Sequence, residues 1–339
     1  MISSIFTSVA QSSLYSISDS SKLSSSISLP NHNHPLLLNR LNFSSIFPSS
    51  ILLPQRRLRS ICFFNAGEKS NGKENGSDLA ILKRWDVPWE WPTASLTSLA
   101  CGISFVLTGL AESAAIPLLG IKIEELSLDE KAELLLLDQS FTTAVVLGVI
   151  YGITNAFQPL PEDMFRYDLR EPFDIKRGWV LWAVIGLVVA LLGVALTGFA
   201  LSTFNGEPPQ RETDSLVRLL PLIGSSSIST ACLLGITGVL APILEETLFR
   251  GFFMASLTKW VPTPVSVVIS AAVFAIAHLT PGEFPQLFVL GMTLGLSYAQ
   301  TRNLVTPITI HAFWNSGVIL ILTLLQLQGY DIKELLQAT

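Results

Sequence analysis

Leu244-Glu245-Glu246-Thr247-Leu248-Phe249-Arg250 stands in the second half of an apolar run that extends from about Ile228 to Leu257. The reading of the chain turns on this stretch. Two adjacent acids and an arginine sit in a segment otherwise hydrophobic enough to lie in a bilayer. An ionisable residue at membrane depth costs on the order of several kcal/mol, so such residues are usually paired and usually functional. Two more polar groups follow on apolar segments: Phe274-Ala275-Ile276-Ala277-His278, and His311-Ala312-Phe313-Trp314-Asn315. Of the four histidines in the chain, His32 and His34 lie in an N-terminal stretch that reads as a removable leader, so His278 and His311 are the only two beyond it.

Composition sets the class. Charged residues are 14% of the 339 positions, against about 25% in soluble chains. Mean hydropathy is +0.51, so the chain reads as an all-α polytopic membrane protein whose first partner is the lipid bilayer. A net charge of −5 gives no support to a nucleic-acid partner. Cys62, Cys101 and Cys232 show neither metal spacing nor a disulfide framework.

Outward from the acidic stretch, apolar segments predict seven transmembrane helices. They run from about 96 to 118, 134 to 157, 179 to 204, 228 to 257, 265 to 278, 284 to 301 and 305 to 325. The fifth and sixth are short for a hydrocarbon core of about 30 Å and are expected to be shielded by their neighbours. Glu124, Glu125, Asp129 and Glu130 mark an acidic loop, 159–178 a charged loop with prolines, and Pro208-Pro209 and Gly224 further breaks. Trp85, Trp89 and Trp91 cluster ahead of the first span, where amphipathic rings favour the headgroup layer.

Residues 1–62 are rich in serine, carry Lys22, Arg40, Arg56, Arg57 and Arg59, and hold Asp19 as their one acid. That pattern fits a transit peptide of the chloroplast type better than a secretory signal, which needs an apolar core. The expected organisation is 1–62 transit peptide, 63–92 linker and interfacial segment, 93–227 N-terminal transmembrane helices, 228–326 functional core, and 327–339 tail. Basic residues gather on the N-terminal side of the seven spans (Lys83, Arg84, Arg166, Arg170, Lys176, Arg177, Lys259 and Arg302 among them), which places that side in the compartment of synthesis or the stroma.

Spacing separates the two acids. Glu246 and Arg250 are four apart, acid first, the favourable order for an ion pair on one helix face. Glu245 is turned by about 100° from Glu246 and faces elsewhere. This is the arrangement expected if one carboxylate is structural and the other chemical. Pro262 lies 17 residues after Glu245 and 16 before His278, so a hairpin turning there brings the two to one level. His311, nine residues past Arg302, falls roughly 10 Å nearer the surface by the same counting. Phe274 shares a face with His278 and is placed to wall a pocket, while Asn315 offers an amide beside His311. Taken singly, a Glu-Arg pair is structural glue and Asn315 an interhelical hydrogen-bond former; Gly291 and Gly295 read as a close-packing pair.

The ordered set resembles the CAAX-processing and bacteriocin-processing (CPBP) family of membrane proteases over about residues 228–325. The signatures are a double glutamate with arginine four residues after its second member, Phe-xxx-His and His-xxx-Asn. The resemblance implies a glutamate-dependent endopeptidase inside the membrane, acting on peptide or membrane-protein substrates. Under it Glu245 activates water, His278 holds or polarises that water, and His311 with Asn315 stabilises the oxyanion. Glu246, Arg250 and Phe274 support them. Two histidines and a glutamate are also a possible zinc set, but the resemblance favours glutamate and water, so no metal or cofactor is expected. A scaffold or stabilising factor for other plastid membrane proteins is the alternative. A proton-relay transporter carries little weight, with no repeat visible.

Overall fold

The structure is a computed structural model that describes residues 80–205, 219 and 221–330. The expected transit peptide at 1–62, most of the expected linker, the Pro208-Pro209 stretch and the end of the tail lie outside the described residues. Seven helices follow in order: α1 (Trp91–Leu118), α2 (Leu128–Thr154), α3 (Trp179–Asn205), α4 (Ser227–Leu257), α5 (Thr263–Ala277), α6 (Phe284–Thr301) and α7 (Val305–Leu327). No strand occurs among the described residues. The segment order expected from hydropathy is therefore present, and the protein is a multi-pass helical membrane protein.

Five of the seven, α1 to α4 and α7, are long and apolar enough to cross a membrane. In α4, half of the most apolar window is buried within the protein, against 17–28% in the other four. That contrast makes α4 the interior helix and leaves the others to face lipid. The short helices α5 and α6 pack chiefly on each other, with α6 also lying along α3.

Local sequence explains where the helices begin. The second was expected near residue 134, with Asp129 and Glu130 in a loop. It starts at Leu128 because Ser127 caps it: Ser127 Oγ accepts from Glu130 N–H while the Glu130 carboxylate accepts from Ser127 N–H. Such reciprocal caps satisfy otherwise orphaned donors, and acids in a first turn suit the helix dipole. At α4 the chain turns through Gly224 at φ +67°, a conformation glycine adopts without strain, and Ser226 then caps the helix. The hydroxyls of Ser226 and Ser229 both donate to Asp129, tying the start of α4 to the start of α2.

Lipid surrounds such a bundle, so association relies on close packing and interhelical hydrogen bonds. At Gly291 an added Cβ would lie 3.1 Å from Ala271 Cα, and at Gly295 it would lie 2.9 Å from Val267 Cγ1. The pair therefore sets how closely α6 approaches α5.

The tryptophans correct the sequence reading. Trp91 is exposed, but Trp85 and Trp89 are buried in protein. Trp85 stacks on Tyr298 with ring centroids 5.0 Å apart, and the Arg302 guanidinium lies 3.5 Å from its ring centroid on cation–π terms. Trp89 Nε1–H donates to Ser256 Oγ at 2.9 Å. Their amphipathic rings are used inside the fold, where Arg302 also donates to Asp163 and to the Lys83 carbonyl. These contacts gather Lys83, the 159–168 loop, the α4–α5 turn and the α6–α7 turn at one end of the bundle.

Candidate functional site

The acidic stretch lies where α4 departs from regular geometry. Residues Ile236–Leu240 and Thr247–Met254 form wide π-helical turns, and Ala241–Glu246 is the α-helical piece between them. Such turns are uncommon and are frequently found at functional sites. Neighbouring helices hold the wide stretch in place. Ser270 Oγ on α5 donates to the Phe249 carbonyl at 3.0 Å, and Arg250 Nη2 donates to the Gly291 carbonyl on α6 at 3.2 Å.

Glu245, Glu246 and Arg250 are all completely buried. Arg250 Nη1 donates to Glu246 Oε1 at 2.9 Å, the four-apart pair that the spacing called for. The guanidinium also lies 4.3 Å from the Phe274 ring centroid. Phe274 is fully buried, edge-on to His278 with centroids 4.6 Å apart and to His311 at 5.9 Å. Its ring thus packs against the arginine and against both histidines.

Both histidines reach Glu245. His278 Nε2 is 3.9 Å and His311 Nε2 is 3.8 Å from Glu245 Oε2. The depth mismatch expected for His311 is thus absorbed. Part of the reason is that the His278 ring, at the end of α5, folds back toward its own helix. Its Nδ1 lies 2.6 Å from the Phe274 carbonyl, one turn earlier.

The partners of the two Nδ1 atoms fix the tautomers. A carbonyl can only accept, so His278 Nδ1 carries a proton toward Phe274. His311 Nδ1, 2.8 Å from Glu246 Oε1, which also accepts from Arg250, carries one toward that oxygen. In the neutral rings both Nε2 atoms are then acceptors, and they converge on a carboxylate oxygen that is also an acceptor. Separations of 3.8–3.9 Å are too long for direct hydrogen bonds and suit a small donor shared among the three, above all a water molecule.

Asn315 lies on the same helix face as His311, but its amide Nδ2 donates to the Thr237 carbonyl of α4 at 3.0 Å. That bond is the interhelical one the residue makes by type, and it uses one of the two amide protons. Several contributors escaped the sequence reading: Thr237, Ser270, the Gly291 carbonyl, and a hydroxyl chain running Tyr151–Tyr167–Thr247 at 2.9 and 2.7 Å onto α4. For the side chains among them a hydroxyl was the only signal, and the Gly291 carbonyl carried none. No cluster of three metal-binding side chains with suitable geometry occurs among the described residues.

Residues 227–317, which contain Glu245, Glu246, Arg250, Phe274, His278, His311 and Asn315, match the family described as type II CAAX prenyl endopeptidase Rce1-like. That match supports a place for the C-terminal region in the CPBP family. Two relatives match over a longer part of the chain. The membrane-embedded CAAX protease MroQ of Staphylococcus aureus is 24% identical over 163 residues, 45% of this chain and 61% of that protein. YdiL of Bacillus subtilis, named as a proposed membrane peptidase, is 23% identical over 161 residues, 48% of this chain and 62% of that protein. The chain thus spans less than two thirds of the length of either relative. No solved structure matches. Within the CPBP region, α4, α5 and α7 supply the polar side chains and α6 supplies a carbonyl and close packing.

Proposed function

We propose that this chain is an intramembrane, glutamate-dependent endopeptidase of a plastid membrane, acting on a membrane-protein or peptide substrate. The observation that carries the reading is the convergence of three acceptors, Glu245 Oε2 and the two histidine Nε2 atoms, within 3.9 Å in a buried site. A water held there gives its hydrogens to acceptors and presents its oxygen lone pairs outward. As that oxygen bonds to a peptide carbonyl carbon, Glu245 takes the proton. When the tetrahedral intermediate collapses, the C–N bond breaks and the proton passes to the leaving amine. Of the pair His311 and Asn315, the second amide proton of Asn315 is the donor to the developing oxyanion, while the neutral His311 Nε2, an acceptor, keeps the attacking water in place beside it.

Glu246 and Arg250 act at one remove. Glu246 Oε1 receives both Arg250 and His311, so it sets the His311 tautomer and takes no proton itself. The serine-rich leader and the basic side of the topology support plastid import with that side toward the stroma. A prenylated tail is a poor substrate behind such a leader, so membrane-embedded polypeptides are the better class.

The test is rescue of a null mutant by wild type and by Glu245→Gln at matched protein level. Glutamine keeps the shape and removes the base, so rescue should fail and an uncut, longer substrate should accumulate. Full rescue by Glu245→Gln would replace the protease with the scaffold reading.

A further inference from the structure

The connection between α5 and α6, together with the first turn of α6, holds polar atoms that the catalytic scheme leaves unused. Thr280 Oγ1 and Gln286 Oε1 are buried atoms without a hydrogen-bond partner, although each residue as a whole is only partly buried. A side chain that reaches the outside while its polar atom stays shielded must turn that atom inward. Threonines elsewhere in the bundle satisfy themselves: Thr154, Thr247 and Thr309 each donate to the carbonyl four residues back. Thr280 does not. At the head of the same segment, His278 Nε2 is also without a hydrogen-bond partner, on a side chain that is only 2% exposed. Buried polar groups are nearly always satisfied, so a run of exceptions beside a reactive site calls for an occupant.

Backbone geometry gives an independent sign. Leu279, next to His278, has φ +53°. A helix usually ends in that left-handed conformation on glycine, and a branched side chain there costs roughly 1 kcal/mol. Yet the residue is leucine, and its side chain is 66% exposed. The left-handed residue thus stands between His278 and Thr280 with its apolar side chain exposed.

We infer that residues 279–286 form the subsite for the substrate backbone, holding an extended polypeptide against the catalytic site. The Thr280 hydroxyl donates to a substrate carbonyl, Gln286 Oε1 accepts a substrate N–H, and Leu279 rests on an apolar substrate side chain. An extended chain offers one acceptor and one donor per residue, which is what these two atoms need. This inference rests on the proteolytic reading above.

The test uses the full chain reconstituted in lipid nanodiscs. A library of peptides, each with one apolar membrane segment, is offered as substrate, and products are read by mass spectrometry. Kinetics then follow on the best-cut peptide for wild type, Glu245→Gln, Thr280→Val and Gln286→Leu. Each of the last two should raise KM about tenfold with kcat changed less than about twofold. Each should also leave the thermal midpoint of the substrate-free protein unchanged or higher, because an unsatisfied buried polar atom has been removed. Unchanged KM, or a KM rise accompanied by a fall in thermal midpoint, overturns the subsite. If wild type cuts nothing, or Glu245→Gln cuts equally well, the proteolytic reading falls and takes the subsite with it. If wild type cuts and Glu245→Gln does not, unaltered KM in the other two variants removes the subsite alone.

Discussion

His311 Nδ1 and Arg250 Nη1 meet on one oxygen, Glu246 Oε1, at 2.8 and 2.9 Å. This makes Glu246 the joint between α4 and α7, and it divides the labour of the two adjacent acids. Replacing Glu246 with glutamine leaves a buried guanidinium facing a neutral amide and frees the His311 ring to flip. Removing one partner of a buried pair costs about 3–5 kcal/mol. Thermal unfolding in detergent should therefore show a large loss of stability in Glu246→Gln and a small one in Glu245→Gln, although both should be inactive. Equal stability losses in the two variants would contradict the division.

Asn315 separates a structural from a catalytic contribution. Its bond to the Thr237 carbonyl has the form of an interhelical link, and such links contribute about 0.6 kcal/mol, with a ceiling near 1.7. Loss of an oxyanion donor lowers kcat by roughly 10²–10³. Asn315→Ala should thus lower the thermal midpoint only slightly while reducing kcat by about two to three orders of magnitude with KM little changed. A small kcat effect matching the stability effect would confine Asn315 to the structural role.

Much of this arrangement was legible in the chain because membrane depth makes polar residues conspicuous. The seven segments and the Glu246–Arg250 pair follow from hydropathy and helical spacing alone. Other features were not legible, for physical reasons. Trp85 and Trp89 carry the composition of an interfacial belt, and only the tertiary partners Tyr298, Arg302 and Ser256 take them inside. The wide turns of α4 have no signature in its residues. They depend on Ser270, Gly291 and Tyr167, which come from elsewhere in the chain. The level of His311 could not be counted from a turn because counting assumes parallel helices and side chains of no length.

Gly291 has two functions. An added Cβ would sit 3.1 Å from both Cα and Cβ of Ala271 and 3.2 Å from the Phe274 ring, while the glycine carbonyl receives Arg250. Gly291→Val forces α6 away from α5 and moves that carbonyl. Overpacking of this kind costs typically about 1–3 kcal/mol. The variant should lose activity with Glu245 intact, and its thermal midpoint should fall well below that of Gly317→Ala. At Gly317 an added Cβ meets nothing within 4 Å. Matching midpoints would show that the close approach of α5 and α6 is dispensable.

Asp168, in the loop between α2 and α3, offers a pH test outside the spans. The hydrogen bond from Arg166, reinforced by the Arg170 backbone N–H, holds its carboxyl below the usual carboxylate range. The same residue ties the loop to the α6–α7 turn, with its N–H donating to Asn303 Oδ1 at 3.1 Å and its carbonyl accepting from Asn303 Nδ2 at 2.6 Å. A depressed folded pKa means that the carboxylate stabilises the fold above its unfolded value, about 3.9. That stabilisation is lost as pH falls through the lower folded value. Protease nicking of the 159–178 loop should therefore stay constant from neutral pH to about 5, then rise as pH falls below about 4. It should be screened by salt, since Arg166 is partly exposed. Asp168→Asn should nick faster at neutral pH and lose the acid-dependent rise. A variant that keeps the wild-type profile would show that some other group governs the loop.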